Sequence, residues 1–168
     1  MTRPAPARYR LAPMNPQPPT IRPARSADAV AVARLVEAAY TRYIARMAGQ
    51  RPGPMDDDYP ARIAEGAVWV LEHDGAIAGI LVLLSEPDHL LLDNVAVAPG
   101  HAGRGLGRQL VGFAEAEARR RGFGEIRLYT HVTMTENQAL YRHLGFEETH
   151  RGEQAGFQRV FMRKRLDA

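Results

Sequence analysis

The sequence contains no cysteine among its 168 residues. Disulfide bridges, thiolate metal ligands and a cysteine nucleophile are therefore excluded. A covalent intermediate would need another nucleophile. With 45% apolar residues, a chain of this length can still bury a core without such cross-links. The sequence therefore predicts one domain that is stabilised by packing.

Lysine is nearly absent, because Lys164 is the only lysine among 22 basic residues. The net charge is +3, but Arg3, Arg8 and Arg10 lie in an N-terminal stretch without acidic residues. The remaining 19 basic and 19 acidic residues balance. Nucleic-acid binding needs a basic face on the folded part of a protein. We therefore expect no nucleic-acid partner.

Long apolar runs are absent as well. No run approaches the roughly 20 residues that span a membrane, and the N-terminus lacks the apolar core of roughly 7 to 15 residues that a signal peptide has. We therefore expect a cytoplasmic protein without a membrane partner.

Proline is concentrated at one end, since six of the twelve prolines precede Thr20 in a stretch without helix or strand periodicity. We predict a disordered, proline-rich tail over residues 1–19 and one folded domain over residues 20–168. Whether residues 1–13 belong to the natural protein stays open, because Met14 offers a second start.

The first half of the domain reads as strand, helix, loop and short helix. A strand is predicted at 20–24, and Ser26 or Asp28 can cap the helix that follows. A loop at 49–60, rich in proline and aspartate, separates it from a short helix near 61–65. The apolar stripe of the first helix comprises Val32, Leu35, Val36, Ala39, Tyr43 and Met47.

The second half is dominated by strands. Two apolar runs joined at Asp74 and Gly75 predict a hairpin, and a third strand ends at Pro99. There follow a helix from Leu106 to a stop at Gly122, a strand at 126–130, a helix capped by Thr135 and ended by Gly145, and a final strand pair. This alternation predicts an α/β layered fold with helices on both faces of a sheet.

One segment, VAVAPGHAGRGLGRQL, places Gly103, Gly105 and Gly107 between a strand and a helix. The first N–H groups of a helix lack partners and carry a partial positive charge of about +0.5, so they attract anions. Glycines let a phosphate approach these groups, and Arg104 and Arg108 add positive charge. A plain glycine-rich turn is the alternative.

Two other phosphate-binding loops fit this segment poorly. A Walker loop requires Gly-Lys-Ser/Thr, whereas the only lysine is Lys164. A dinucleotide fingerprint requires G-x-G-x-x-G at the first turn between a strand and a helix, whereas this loop reads G-x-G-x-G and follows three predicted strands in series.

A second segment, NQALYRHLGF, places Asn137 and Tyr141 four residues apart on one predicted helix. At that spacing both side chains point the same way. The alternative interpretation is a tyrosine that simply packs beneath the sheet.

With these two segments the sequence resembles the GNAT N-acetyltransferase superfamily over roughly residues 20–166. The family's loop motif, [Gln/Arg]-x-x-Gly-x-[Gly/Ala] after a strand ending V-x-P, maps onto Ala102–Gly107 after Val97–Pro99. Ala102 departs from this motif, and we expect weaker anchoring there. The resemblance implies an α/β fold with a mixed, mostly antiparallel sheet of about six to seven strands, flanked by about four helices. It also implies acetyl-CoA as the acyl donor.

The resemblance assigns residues to this donor. Tyr141 would lie near the sulfur of CoA as the catalytic acid, although it stands one step closer to Asn137 than in many members. A phenol has a pKa near 10 and a thiol a pKa near 8.5, so proton transfer from Tyr141 to the thiolate is unfavourable by about 2 kcal/mol. The alternative role for Tyr141 is a hydrogen bond to the thiolate without full proton transfer. The implied cofactor-binding residues are Val95, Val97, Ala102, Gly103, Arg104, Gly105, Leu106, Gly107, Arg108, Asn137 and Tyr141.

Asp93 is the leading candidate for the general base. On a regularly alternating strand it would share a face with Leu91, Val95 and Val97. A carboxylate on such an apolar face is unfavourable unless it has a functional or structural role. The alternative is a structural carboxylate that binds nearby amides. Glu72, His73 and His131 are interpreted as ordinary polar residues, and no pair of histidines has metal-ligand spacing, so no metal is expected.

The acceptor side would be covered by the first helix and the loop after it, by resemblance. Acidic and aromatic side chains there suit a cationic amine, whereas a solvated acidic loop with packing tyrosines is the alternative. Arg46 or Arg42 could instead pair with a carboxylate of the substrate. The predicted substrate-binding residues are Tyr40, Tyr43, Arg46, Met55, Asp58 and Tyr59.

Together these features predict an N-acetyltransferase that moves an acetyl group from acetyl-CoA to a primary amine of a small molecule or a protein, by direct attack in a ternary complex. The alternative is a regulatory module that binds CoA without catalysis. A homodimer is expected by analogy alone. The sequence does not identify the acceptor or the preferred acyl chain.

Overall fold

A computed structural model describes residues 17–167. Most of the predicted tail, residues 1–16, lies outside this range, and residues 17–19 belong to no helix or strand. Within the described residues, no helix is both long and apolar enough to cross a membrane.

The centre of the fold is a seven-stranded sheet in the order β1-β2-β3-β4-β5-β7-β6. Every neighbouring pair is antiparallel except β4 and β5, which run parallel. The strands are β1 Thr20–Pro23, β2 Val68–His73, β3 Ala76–Ser85, β4 Leu90–Val97, β5 Glu125–His131, β6 Glu147–Gln154 and β7 Phe157–Arg165. The predicted mixed, mostly antiparallel sheet is confirmed.

Four α-helices flank the sheet: α1 Ala29–Arg46, α2 Tyr59–Ala64, α3 Leu106–Arg120 and α4 Thr135–His143. Two apolar cores result, one on each face. Leu110 and Ala114 of α3 pack with Tyr141 of α4 on one face, and Val36 of α1 packs with Ile63 of α2 on the other. The helical stripes read from the sequence are therefore the faces that are buried.

Some turns and helix ends predicted from the local sequence are confirmed, and others are not. Asp74 and Gly75 both adopt left-handed backbone angles (φ 52° and 76°), as a tight hairpin between β2 and β3 requires. The short helix α2 begins at Tyr59, earlier than predicted, because the Asp58 carboxylate accepts the Ala61 N–H at 3.0 Å and caps it. The predicted Thr135 cap is wrong, since Thr135 is the first residue of α4 and Met134 holds the capping position without a side-chain bond.

The sheet opens between β4 and β5. Only Leu90–Leu92 pair with Ile126–Leu128, and the two strands separate beyond that point. The pairing of β4 with β3 also shifts there, since Leu83 faces Leu92 and Val82 faces Asn94, which leaves Asp93 as an extra residue in a β-bulge.

This bulge corrects the predicted face of Asp93. Val95 and Val97 pack into the core under α3, whereas the Asp93 carboxylate reaches Tyr129 on the opposite face. Regular alternation would have placed all three on one face, and the extra residue reverses the alternation after Leu92.

Candidate active site

The open edge of β4 presents backbone groups to the gap between β4 and β5. The Ala98 N–H donates to the Ala78 carbonyl of β3 at 2.8 Å. Because successive N–H groups on a strand point to opposite edges, those of Val95 and Val97 are directed into the gap. The Val95 carbonyl also faces the gap, where it accepts a bond from the Tyr40 hydroxyl at 3.2 Å.

The glycine loop leads into α3 at the point that the sequence predicted. Gly103 and Gly105 have left-handed backbone angles (φ 77° and 75°), which glycine adopts readily, and Gly105 is the N-cap of α3. Gly107 lies against Leu140 of α4 and Val97 of β4, where an added Cβ would come within 3.8 Å and 3.9 Å of them. The helix N-terminus is therefore held beside the gap.

Arg104 and Arg108 flank this N-terminus, and both are exposed. Considering residues 17–167, neither forms an ion pair with a carboxylate. Their charges are thus available to an anion at the loop, as the sequence analysis expects.

A cavity lies between the loop, the gap and helices α1 and α4, and we call it the loop cavity. Ala102 and Gly107 border it on one side, and Val95 and Val97 on another. The predicted donor residues that line it together are Val95, Val97, Ala102, Gly107, Asn137 and Tyr141.

Asn137 and Tyr141 of α4 also line a second cavity, which we call the Asp93 cavity. One turn of α4 therefore stands between the two spaces. Tyr141 is only 6% exposed, and burial raises the pKa of its phenol well above the usual value. The hydroxyl is therefore protonated at neutral pH and can donate a hydrogen bond.

The Asp93 cavity has an empty volume of about 520 Å³, part of it open to solvent. Its floor is formed by β4 and β5, one wall by α1 with the Pro52–Pro54 segment, and another wall by Phe157 and Arg159 of β7.

Asp93 is oriented in this cavity by Tyr129 of β5. The Tyr129 hydroxyl donates to Oδ1 of Asp93 at 2.5 Å. Burial and the neighbouring carboxylate raise the pKa of Tyr129 to about 12, so this phenol remains a donor. The second carboxylate oxygen is left for another partner.

The residues predicted for the acceptor separate into two groups. Tyr40 lines both cavities, and Tyr43 lines the loop cavity, where the Arg42 guanidinium donates to its hydroxyl at 2.6 Å. Arg46 reaches the surface of α4 and pairs with Glu136 at 2.8 Å.

Met55, Asp58 and Tyr59 form the second group and line neither cavity. Met55 packs against the core under α1, and Asp58 caps α2. The buried Tyr59 donates from its hydroxyl to the Pro54 carbonyl at 2.6 Å. Met55 and Tyr59 therefore pack into the core, whereas Asp58 is exposed at the start of α2.

Asn94, Tyr129 and Arg159 are polar cavity residues that the sequence analysis did not predict. Asn94 is buried, and its amide accepts from Tyr40 at 2.6 Å and donates to Tyr59 at 3.1 Å. The polar pair Asp93–Asn94 inside an apolar strand was a usable signal for it. Tyr129 and Arg159 carried none, because they meet only through the pairing of β5 with β7.

His131, at the end of β5, also lines the Asp93 cavity. Its Nδ1 accepts the Thr133 N–H at 3.2 Å. Burial, with a contribution from the Arg159 charge, lowers the pKa of His131, so the ring is neutral at pH 7 and its other nitrogen carries the hydrogen. His131 can therefore donate a hydrogen bond there.

A group of side chains with metal-ligand character lies elsewhere, at the hairpin end next to the glycine loop. The ligand atoms of His73, Asp74 and His101 are within 4.8 Å of one another. Sequence spacing does not reveal this group, because His101 comes from a separate segment. The expectation that the protein needs no metal remains a prediction.

The fold agrees with comparisons to known proteins. A profile of the acetyltransferase (GNAT) family matches residues 32–146, and the chain belongs to this family. The uncharacterized N-acetyltransferase YjgM of Escherichia coli (strain K12) is 34% identical over 140 residues, which cover 79% of this chain and 84% of that protein.

Two further proteins show the extent of the similarity. Streptothricin acetyltransferase of Streptomyces lavendulae is 36% identical over 95 residues, which are 54% of this chain and 46% of that protein. The structure of the PaiA N-acetyltransferase of Thermoplasma acidophilum in complex with coenzyme A has a TM-score of 0.74 at 17% identity, covering 89% of this chain and 99% of the other. The latter similarity shows the fold.

Proposed function

We propose that this protein transfers an acetyl group from acetyl-CoA to a primary amine by direct attack in a ternary complex. The observation that carries the proposal is the position of the β4–β5 gap between the glycine loop and the cavity that holds Asp93. In the reaction, an N–C bond forms to the acetyl carbon and the C–S bond of the thioester breaks. The amine loses one proton, and the thiolate that leaves takes one up.

The loop side suits the donor. Gly103 and Gly105, with left-handed backbone angles, expose the backbone N–H groups at the start of α3. The exposed Arg104 and Arg108 flank them, so the site suits the diphosphate of CoA. The Val95 and Val97 N–H groups in the gap are suited to the thioester oxygen and the pantetheine arm. The coenzyme A complex of the similarly folded PaiA protein supports this donor.

The amine must be neutral to attack. An amine with a pKa near 10.4 reaches its neutral form at pH 7 at a cost of about 4.6 kcal/mol, so a proton acceptor beside it lowers the barrier. The free oxygen of Asp93 supplies that acceptor, directly or through a water molecule. Tyr129 fixes the carboxylate in place through its 2.5 Å hydrogen bond.

Tyr141 completes the proposed machinery at the leaving group. Because burial raises its pKa, full proton transfer to a thiolate of lower pKa is unfavourable. We assign it the role of a hydrogen-bond donor that stabilises the negative charge on sulfur as the C–S bond breaks.

The test compares wild type with Tyr141→Phe. The variant should bind acetyl-CoA with an unchanged Kd in calorimetry, while kcat in an assay of CoA thiol release falls by roughly 10- to 100-fold, as expected when one charge-stabilising hydrogen bond is removed. A wild-type protein that binds acetyl-CoA but acetylates nothing in a broad amine panel would support the regulatory module instead. No heat with millimolar CoA or acetyl-CoA would refute both.

A further inference from the structure

The Arg159 side chain has an unusual environment among the arginines of this protein. It projects from β7 into the Asp93 cavity, and its guanidinium carbon lies 3.9 Å from the centre of the Tyr129 ring and 5.3 Å from that of Phe157. These two aromatic contacts hold the guanidinium at the wall of the cavity.

Arg159 also lacks a partner of opposite charge. Across residues 17–167, it is the only arginine that is partly buried and has no carboxylate oxygen within 4.0 Å. The other partly buried arginines, among them Arg62 and Arg127, all pair with acids. Removing a guanidinium from water without such a partner is unfavourable. An anion that enters the cavity would supply the missing charge.

The opposite charge in the same cavity belongs to Asp93. Tyr129 lies between the two groups, since its hydroxyl binds Asp93 and its ring faces Arg159. Asp93 and Arg159 do not form an ion pair with each other, so each can meet a ligand separately. The neutral His131 ring adds no further charge. The cavity therefore offers one anionic and one cationic contact.

We propose that the acceptor is a small zwitterion, an amine that carries a carboxylate or a phosphonate, with its amino group at Asp93 and its anion at Arg159. This inference rests on the proposed acetyl transfer and narrows its substrate. The remaining wall, formed by Met47, Pro52, Pro54 and Phe157, is apolar, so the side chain of the acceptor is uncharged. An amino acid such as leucine has this chemistry.

The experiment compares L-leucine with isopentylamine, which lacks only the carboxylate, and with the matching aminophosphonate. Acetylation is followed by CoA thiol release, and binding by calorimetry in the presence of CoA. With wild type, we expect kcat/KM for at least one of the two anionic acceptors to exceed that for isopentylamine by about 10- to 100-fold, the range for hydrogen bonds to a charged group. The better of the two identifies the anion.

Arg159→Gln should abolish this preference by lowering kcat/KM for the anionic acceptor about 10- to 100-fold, with little change for isopentylamine. Arg159→Lys should restore part of it. Arg163→Gln is the matched control, because Arg163 lies on the same strand but pairs with Glu147 at 2.9 Å. Its kinetics should equal those of wild type.

The outcomes separate the two proposals. If wild type acetylates isopentylamine as well as leucine and the phosphonate, or if Arg159→Gln affects all three equally, the anion site is refuted while the acetyl transfer stands. If an anionic acceptor binds through Arg159 but no amine is acetylated, the acetyl transfer is refuted while the anion site stands.

Discussion

Asn94→Asp is a substitution of a few atoms whose effect can be worked out from the structure. Asn94 is 5% exposed and connects two tyrosines at the wall of the Asp93 cavity. The Tyr40 hydroxyl donates to its oxygen at 2.6 Å, and its nitrogen donates to the Tyr59 hydroxyl at 3.1 Å. The Tyr59 hydroxyl already donates to the Pro54 carbonyl at 2.6 Å, so the group that faces it must be a donor.

An aspartate at this position has no donor for Tyr59 and introduces a buried negative charge. Unpaired buried charges cost about 3–5 kcal/mol, and the bond from Tyr40 offsets part of this, so we expect a loss of about 3 kcal/mol in the free energy of unfolding at pH 7. Asn94→Leu is the matched control. It loses two hydrogen bonds of about 0.5–1.5 kcal/mol each, while both tyrosine protons keep carbonyl acceptors, so we expect a loss of about 1–2 kcal/mol.

The two variants should also differ in their response to pH. Burial raises the pKa of the new carboxyl above its unfolded value of about 3.9. The unfolded chain therefore ionises at lower pH than the folded protein, and the loss of stability grows as the pH rises above about 3.9. As the pH falls toward about 4, the protonated carboxyl regains a donor for Tyr59 and the penalty disappears. Urea unfolding at pH 7 and pH 4.5 measures this. Equal losses for both variants at pH 7, or an aspartate penalty independent of pH, would refute the reasoning.

Two further predictions concern helix α3 and the glycine loop that precedes it. Glu117 of α3 is buried and accepts bonds from Arg120 and Arg121, which lower its pKa to about 2. Glu117→Gln should therefore reduce the free energy of unfolding by about 2–3 kcal/mol at pH 7. The difference from wild type should shrink as the pH falls from 4.5 toward 2, because the carboxylate of the folded protein becomes protonated. Urea unfolding at several pH values measures both effects. Ala102→Gln restores the side chain of the family's loop motif and should lower the Kd for CoA about 3- to 10-fold in calorimetry, in line with one added hydrogen bond; an unchanged Kd would show that the backbone alone anchors the phosphates.

Local patterns predicted much of this fold. The apolar stripes of α1 and α3 follow from spacings of three and four residues, and the Asp74–Gly75 turn follows from the preference of those residues for left-handed angles. The start of α3 at Leu106 follows from the glycines before it. Each of these features depends on residues that are close in sequence.

The features that local patterns did not predict arose where distant segments decide the structure. The face of Asp93 depends on a bulge that is visible only in the pairing of β4 with β3. Tyr59 turns into the core because Asn94 and Pro54 offer partners for its hydroxyl. Arg159 reaches the cavity because β7 inserts between β5 and β6 in the sheet. No local pattern in the sequence contains this information.

The bulge at Asp93 has a consequence for how this protein could change during evolution or engineering. One extra residue in β4 turns a carboxylate toward one face and leaves Val95 and Val97 on the other, at the level where β4 leaves β5. Deleting a single residue there would restore a regular strand and exchange the faces of the side chains on one side of the deletion. The linings of both cavities therefore depend on the register of β4. An insertion or deletion at the bulge would change which β4 side chains face each cavity.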